Sequence, residues 1–257
     1  FGNKDKEGLF YDTFERSKHI LDARYEPTRS LHITWDFNVR PYVSLGIWQY
    51  YDDREQNPEL WDRVRRKQGD FSRLVVKIDE IAGVEPRNRT KYVCEDFLKK
   101  YGKHQEALFI YGDPAGKQED TRSEKGGDDF NIIMEGLKEM NPQKRVHRAA
   151  PSISKRGEWI CSILGENAYD IAISFDPRCK NTIIDYTSGQ ADADGKKFKK
   201  KVKDPESGLT HEKYHHFSDG DDYFLTKLFY ADYKVYLRGG KSYNYEAVTN
   251  DQGINYI

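Results

Sequence analysis

Ser30-Leu31-His32-Ile33-Thr34-Trp35-Asp36 and Ala107-Leu108-Phe109-Ile110-Tyr111-Gly112-Asp113 are the two stretches on which the reading of the chain turns. In the first, Leu31, Ile33 and Trp35 alternate with polar residues, the period of a strand with one buried face, and the run ends in a carboxylate. The second is apolar through Tyr111 and is closed by Gly112-Asp113-Pro114, the pattern of a strand buried on both faces. It too ends in a carboxylate.

Outward from these, two more strand-like runs lie between them. Residues 42–50 place Val43, Leu45 and Ile47 on one face, and residues 73–79 carry Leu74, Val76 and Ile78. The charged stretch 52–69 reads as a long hairpin insertion or a short helix. Three strands with no obligatory helix between them form an antiparallel meander. Over residues 87–101 the period changes: Val93, Phe97 and Tyr101 recur four apart and Gly102 supplies a stop, so a helix is predicted. Asp128 or Asp129 is expected to cap a helix carrying Phe130, Ile133, Met134, Leu137 and Met140, which Pro142 terminates. Another amphipathic helix surrounds Trp159, Ile160, Ile163 and Leu164. Strand-like pieces at 171–175 and 182–186 precede a polar insertion, 187–213, and Ser218 is expected to cap a last helix bearing Tyr223, Phe224, Leu228 and Phe229. This order is that of the ribonuclease H-like α/β fold, a mixed central sheet flanked by helices whose fourth strand lies parallel to and beside the first. Adjacent parallel strands present their carboxyl ends on one edge, where ligands of open α/β sheets sit. Asp36 and Asp113 are therefore expected to be neighbours.

The composition narrows the class. The 257 residues include 42 basic and 43 acidic side chains, a net charge of −1 that supplies no general attraction to phosphate. No apolar run approaches the ~18 residues of a membrane helix, and no secretory signal opens the chain, so a soluble, cytosolic-type protein is expected. Although 33% of residues are charged, 13 Phe, 18 Tyr and 4 Trp provide the apolar area for a core and argue against disorder. Cys94, Cys161 and Cys179 are far apart, with no paired spacing, and read as small hydrophobes rather than a disulfide framework or zinc site. The chain begins at Phe1 without an initiator Met and is expected to be a piece of a longer polypeptide. Residues 1–28 are read as a linker or tail, 29–235 as the folded domain and 236–257 as a C-terminal tail. Local charge is uneven: Lys196, Lys197, Lys199, Lys200, Lys201 and Lys203 put six cations into eight residues. Arg63, Arg65, Arg66 and Lys67 form a second cluster, and Arg145, Arg148, Lys155 and Arg156 a third. One such cluster is ordinarily a solvated loop, but an acidic site acting on nucleic acid needs basic flanks.

A single Asp ending a strand is ordinarily a turn former. Two on neighbouring strands repel one another, and the usual remedy is a divalent cation, with oxygen ligands suited to magnesium or manganese. A third carboxylate would complete the site. In His215-His216-Phe217-Ser218-Asp219-Gly220-Asp221-Asp222-Tyr223, Asp219 and Asp222 are three apart on the last helix and share a face. The competing explanation is that these acids favour the positive end of the helix dipole. Glu80 is another acid at a strand end. The loop Gly112-Asp113-Pro114-Ala115-Gly116-Lys117 lacks the full spacing of a phosphate-binding loop, so no ATP site is expected. His32, His104 and His147 have no companions at metal-ligand spacing.

Trp35-Asp36-Phe37-Asn38, Tyr111-Gly112-Asp113-Pro114-Ala115-Gly116, the segment from Lys155-Arg156 to Leu164, Asp176-Pro177-Arg178-Cys179 with Thr182-Ile183-Ile184-Asp185, and His216-x-x-Asp219-Gly220 with Tyr223 stand in a telling order. The chain resembles the C-terminal nuclease domain of tailed-phage terminase large subunits over roughly residues 30–230. The resemblance implies a two-metal endonuclease, using Mg2+ or Mn2+, that cuts concatemeric double-stranded viral DNA during genome packaging in the cytoplasm of a bacterial host. It implies Asp36, Asp113 and Asp219 as the acidic triad, with Asp36 bridging the ions and His216 as an auxiliary residue. Its implied partners are DNA, an upstream ATPase domain of the same polypeptide, the portal and the small terminase subunit. Lys196, Lys197, Lys199, Lys200, Lys201 and Lys203 are expected to grip the DNA backbone. The chain departs from the family pattern at Gly220-Asp221-Asp222, which leaves Asp222 as a rival or additional ligand. The alternatives are a junction resolvase or recombinase nuclease of the same fold, and a non-catalytic DNA-binding or docking module whose acids are structural.

Overall fold

The computed structural model describes residues 8–38, 40–117, 128–166, 168–203 and 208–240. Six strands form its central sheet: β1 (Leu31–Asp36), β2 (Tyr42–Tyr51), β3 (Arg73–Val84), β4 (Leu108–Gly112), β5 (Gln143–Lys144) and β6 (Ile171–Phe175), in the spatial order β5-β4-β1-β2-β3-β6. The first three strands are an antiparallel meander. β4 lies parallel to β1, β5 parallel to β4, and β6 parallel to β3. This is the mixed sheet of the ribonuclease H-like fold, with an added parallel strand outside β3.

The period-two pattern divides the sheet between two helical layers. Leu31, Ile33 and Trp35 of β1, with Val43, Leu45 and Ile47 of β2 and Leu108 and Ile110 of β4, pack on one face against α3 (Thr90–Tyr101) and α4 (Asp129–Gly136), through Val93, Phe97, Phe130 and Ile133. The helix α2 (Pro58–Gln68), capped by the Asn57 side chain, adds Leu60, Trp61 and Val64 to this core. The short α1 (Arg16–His19) precedes the sheet in the chain. The other face holds Trp48, Tyr111 and Phe175 against α5 (Ile153–Glu166), α7 (His216–Leu228) and α8 (Tyr230–Leu237). His32 and Thr34 point to this second face: the His32 ring meets Phe109, Tyr111 and Phe224, and Thr34 lies beneath α7.

The approach of α7 to the sheet depends on two glycines around Thr34. A Cβ on Gly220 would stand 3.3 Å from the Thr34 Oγ1, and one on Gly46 only 2.5 Å from the same atom. Without these side chains the first turns of α7 settle directly over β1 and β2.

Several sequence expectations change. Residues 182–186 are not a strand but part of α6 (Lys180–Ser188). The β-branched run Thr182-Ile183-Ile184 favours extended backbone locally, yet Thr182, Ile183 and Tyr186 are buried while Ile184 is 45% exposed, which is helical spacing. The last helices differ too: α7 starts at His216, two residues before the expected Ser218 cap, and α8 follows it. β6 flanks β3 on the side away from β2. Residues 8–28, within the stretch read as a linker, lie against the domain, where Tyr11 is fully buried and Phe10 and Phe14 join the second core. The insertion forms a small hairpin, β7 (Lys201–Lys203) with β8 (Thr210–Glu212). Residues 1–7 of the proposed linker, 204–207 of the insertion and 241–257 of the C-terminal tail lie outside the described residues, as does the charged loop 118–127. Among the described residues no helix is long and apolar enough to cross a membrane.

His32 offers a test of this packing. Burial, helped by the charge of Arg145, lowers its pKa from 6.5 to about 3. An imidazole that protonates more readily in the unfolded chain adds stability that is complete above pH 6.5 and is lost as the pH falls below it. The loss between pH 7 and pH 5 amounts to about 2 kcal/mol for this one group. In urea denaturation, His32→Phe should reduce the pH 7 to pH 5 drop in stability by that amount; an unchanged drop would show His32 to be accessible to protons in the folded state.

Candidate functional site

The parallel register of β1 and β4 pairs Trp35 with Gly112, and the next residue on each strand is Asp36 and Asp113. Asp36 shares the parity of His32, which places it on the face covered by α7, and Asp113, just past the end of β4, lies near enough to act on Tyr223 of that helix. The sheet thereby brings together two carboxylates that stand far apart in sequence.

Asp36 is nearly buried, its side chain 10% exposed. Asn38 Nδ2 donates to its Oδ2 at 2.8 Å, and His216 Nδ1 lies 3.6 Å from the same oxygen. Burial raises the Asp36 pKa and the charge of Asp219 adds to the rise, against the opposing effect of His216 and Asn38. Burial would lower the His216 pKa, but the hydrogen bond and charge of Asp36 raise it overall. His216 is held from both sides: its Nε2 lies 2.9 Å from the Glu212 carbonyl, and Ser44 Oγ donates to the His216 carbonyl at 2.9 Å. Asp113 is partly exposed, and its Oδ1 accepts the Ala115 N–H at 2.8 Å in the turn after β4.

Asp219 lies at the same edge but is already compensated. Its Oδ1 accepts Arg156 Nη2 at 2.9 Å and Lys197 Nζ at 2.9 Å. Burial alone would raise its pKa; these two cations instead bring it down to about 2. Asp222, the rival third ligand, has no exposed surface. The Tyr11 hydroxyl donates to its Oδ1 at 2.5 Å, while Arg156 Nε at 2.9 Å and Lys197 Nζ at 2.7 Å hold Oδ2. Asp221 accepts Lys77 Nζ at 2.7 Å and 2.9 Å and the Trp48 indole N–H at 3.1 Å.

The first turn of α7 is set in place by buried carboxylates from elsewhere. Asp185 of α6 accepts the backbone N–H groups of His215, Phe217 and Ser218 at 2.8–3.1 Å, satisfying donors that a helix start leaves without partners. α6 is anchored in the same way by Glu80, which accepts from the Asn181 and Thr182 backbone and side chains at 2.7–3.0 Å. Glu80 is thus a helix cap, not a free ligand at the edge.

The six lysines of the insertion divide. Lys197 is buried, 3% exposed, whereas Lys196, Lys199, Lys200, Lys201 and Lys203 are exposed. Lys196 pairs with Asp194 and Lys199 with Glu212. The Glu212 hydrogen bond leads the rise in the Lys199 pKa, and the charges of Asp219 and Asp36 contribute, which sets this lysine beside the acids. Arg156, read from the sequence as part of a basic surface cluster, is buried. The available signal was its spacing, since it precedes Trp159, Ile160 and Ile163 at the interval of a buried helix stripe. Lys77, Asp185 and Tyr11 complete the frame of the site, and sequence reasoning does not single them out for that role.

The oxygens of Asp36 and Asp113 are of the kind a hard divalent cation takes. Asp222 has both oxygens taken, and two protein cations already hold Oδ1 of Asp219. Among the described residues no three His, Cys, Asp or Glu side chains converge closely enough to hold a metal ion.

No protein-family model matches the sequence, and no curated protein matches it significantly. Among solved structures, the chain is similar to the large terminase of a thermophilic bacteriophage. One crystal form 3 structure aligns with a TM-score of 0.51 at 14% identity, covering 85% of this chain and 45% of that one. The complexes of that terminase with ADP and with ATP-gamma-S align with TM-scores of 0.53 at 16% and 15% identity, each covering 86% of this chain and 45% of the other. The chain thus spans less than half the length of these terminase structures. At such identity the likeness is one of fold.

The Asp185 clasp generates a direct expectation. Asp185→Ala leaves backbone donors of α7 without their acceptor and should cost roughly 1–3 kcal/mol in urea unfolding, with faster amide exchange at Phe217 and Ser218. Wild-type exchange at those amides would refute the clasp.

Proposed function

We propose that the chain is the nuclease part of a DNA-packaging large terminase, a metal-dependent endonuclease acting on double-stranded DNA. The observation that carries this reading is the juxtaposition of Asp36 and Asp113 at the carboxyl ends of adjacent parallel strands, with His216 and Asp219 delivered to the same edge by α7. The fold shared with a phage large terminase supports it. Asp36 and Asp113 would hold Mg2+ or Mn2+, which when bound supplies polarisation of a phosphate and activation of water. Asn38 fixes the Asp36 carboxylate, and His216 places an imidazole nitrogen 3.6 Å from it. Lys199 feels the charges of Asp219 and Asp36, and it and the exposed Lys200, Lys201 and Lys203 of the same insertion would hold the phosphate backbone without reading bases. An upstream ATPase domain, the portal and the small terminase subunit are the partners this role entails.

One observation favours a second reading. The compensation of Asp219 by Arg156 and Lys197 suits a non-catalytic DNA-binding module in which that acid is structural. Both readings are separated by the same assay. With Mn2+ the purified protein should nick supercoiled plasmid, and Asp36→Asn and Asp113→Asn should each abolish nicking while melting near wild type. Absence of metal-dependent cleavage by the wild-type protein would leave the binding module standing. Under either reading, changing Lys199, Lys200, Lys201 and Lys203 to Ser should flatten the slope of log affinity against log salt by about 0.9 for each phosphate no longer neutralised. An unchanged slope would remove the hairpin from the DNA interface.

A further inference from the structure

Lys197 differs from every other lysine of the insertion in being buried and immobilised. Its backbone forms a bridge with Ala191, and the neighbouring Phe198 N–H donates to Gln190 at 2.7 Å. That ladder is in turn tied to the N-terminal segment, where Ala191 N–H donates to the Gly8 carbonyl at 2.8 Å and Phe10 N–H to the Gly189 carbonyl at 2.9 Å. The ammonium group reaches inward past the rings of Phe10 and Tyr11, whose centroids are 5.2 Å and 5.3 Å away, and ends against Asp219 at 2.9 Å, Asp222 at 2.7 Å and the Ser218 hydroxyl at 3.1 Å. With Arg156 it makes a closed set of two carboxylates and two cations.

From this geometry we infer that the edge takes one divalent ion, held by Asp36 and Asp113, and that the Lys197 ammonium stands permanently at Asp219 in place of a second. The inference rests on the proposed metal-dependent reading and deepens it. A dication approaching Asp219 meets a balanced cluster, with two positive charges already at 2.9 Å from Oδ1 of the same carboxylate. Like charges that close repel strongly at the partly desolvated edge of a protein. The backbone that carries Lys197 is tied to the N-terminal segment and to the end of α6, which fixes the root of this side chain beside Asp219. Removal of Lys197 leaves Arg156 alone against Asp219 and Asp222, a net negative charge beside Asp36, which is the condition for recruiting another ion.

The experiment is a Mn2+ titration followed by the electron paramagnetic resonance signal of free aquated Mn2+, which counts bound ions without reference to cleavage. Wild type should bind one Mn2+ per chain. Lys197→Met, which retains the stem that packs on Phe10 and Tyr11, should bind a second, and adding Asp219→Asn should remove that second ion alone. Lys197→Arg, which keeps the charge, should remain at one. Should Lys197→Met fail to fold by circular dichroism, Lys197→Gln takes its place. Two ions on wild type, or one on both wild type and Lys197→Met, overturns the inference while leaving the metal-dependent reading intact, provided Asp36→Asn and Asp113→Asn lose the first ion. No Mn2+ on any variant refutes that reading and the inference together.

Discussion

The docking of α7 is governed by the cost of burying charge. This helix brings Asp221 and Asp222 into a layer where neither has exposed surface. An isolated buried carboxylate is strongly unfavourable, and removing one partner of a buried pair typically costs about 3–5 kcal/mol. The helix can lie on the sheet because cations and hydrogen-bond donors arrive from five other parts of the chain: Trp48 from β2, Lys77 from β3, Arg156 from α5, Lys197 from the insertion and Tyr11 from the N-terminal segment. Gly46 and Gly220 supply the space and these partners supply the charge balance. The position of the candidate site residues His216 and Asp219 follows from that docking.

A second chain of polar contacts fixes the same helix end-on. Glu80 at β3 captures the start of α6, and Asp185 of α6 captures the start of α7. In each case a carboxylate meets the positive end of a helix dipole and satisfies N–H groups that would otherwise be buried unpaired. Burial raises the Asp185 pKa to about 6 even against those donors. The register of α7 over β1 is therefore specified laterally by ion pairs and axially by these caps.

Legibility from sequence tracked how local each signal was. Alternation in residues 31–36 and the apolar run at 108–112 carry the strands and their parity, since period two is enforced by backbone geometry alone, whereas the adjacency of Asp36 and Asp113 was expected from the order of elements. Residues 182–186 misled because a short β-branched run resembles a strand until a partner is known; here the partner is the Glu80 carboxylate 102 positions away from Thr182. Lys197 was unreadable for a related reason. It sits in a run of lysines with ordinary neighbours, and only the fold selects the one that turns inward. Arg156 was legible in principle, because its spacing to Trp159 and Ile163 places it on the buried stripe, but charge pointed to the surface and overrode periodicity. Tyr11 and Phe14 lay within a polar, mixed-charge stretch whose few aromatics turned out to be its anchors.

The same charge arithmetic bears on how an acidic edge can meet DNA. Three uncompensated carboxylates at the ends of the sheet would repel phosphate, since like charges at a few ångströms outweigh the weak, screened attraction of lysines farther out. In this chain Asp219 is neutralised from within, His216 stands against Asp36, and Lys199 lies close enough to feel both acids. The unbalanced charge is thus confined to the Asp36 and Asp113 pair, a site small enough for a single dication to neutralise. Under the proposed reading, loading that ion would turn the edge from repulsive to attractive toward the backbone, while the exposed lysines of the hairpin act at longer range in either state. Metal binding and DNA engagement would then be coupled by charge alone, with no conformational change required of a helix held as firmly as α7.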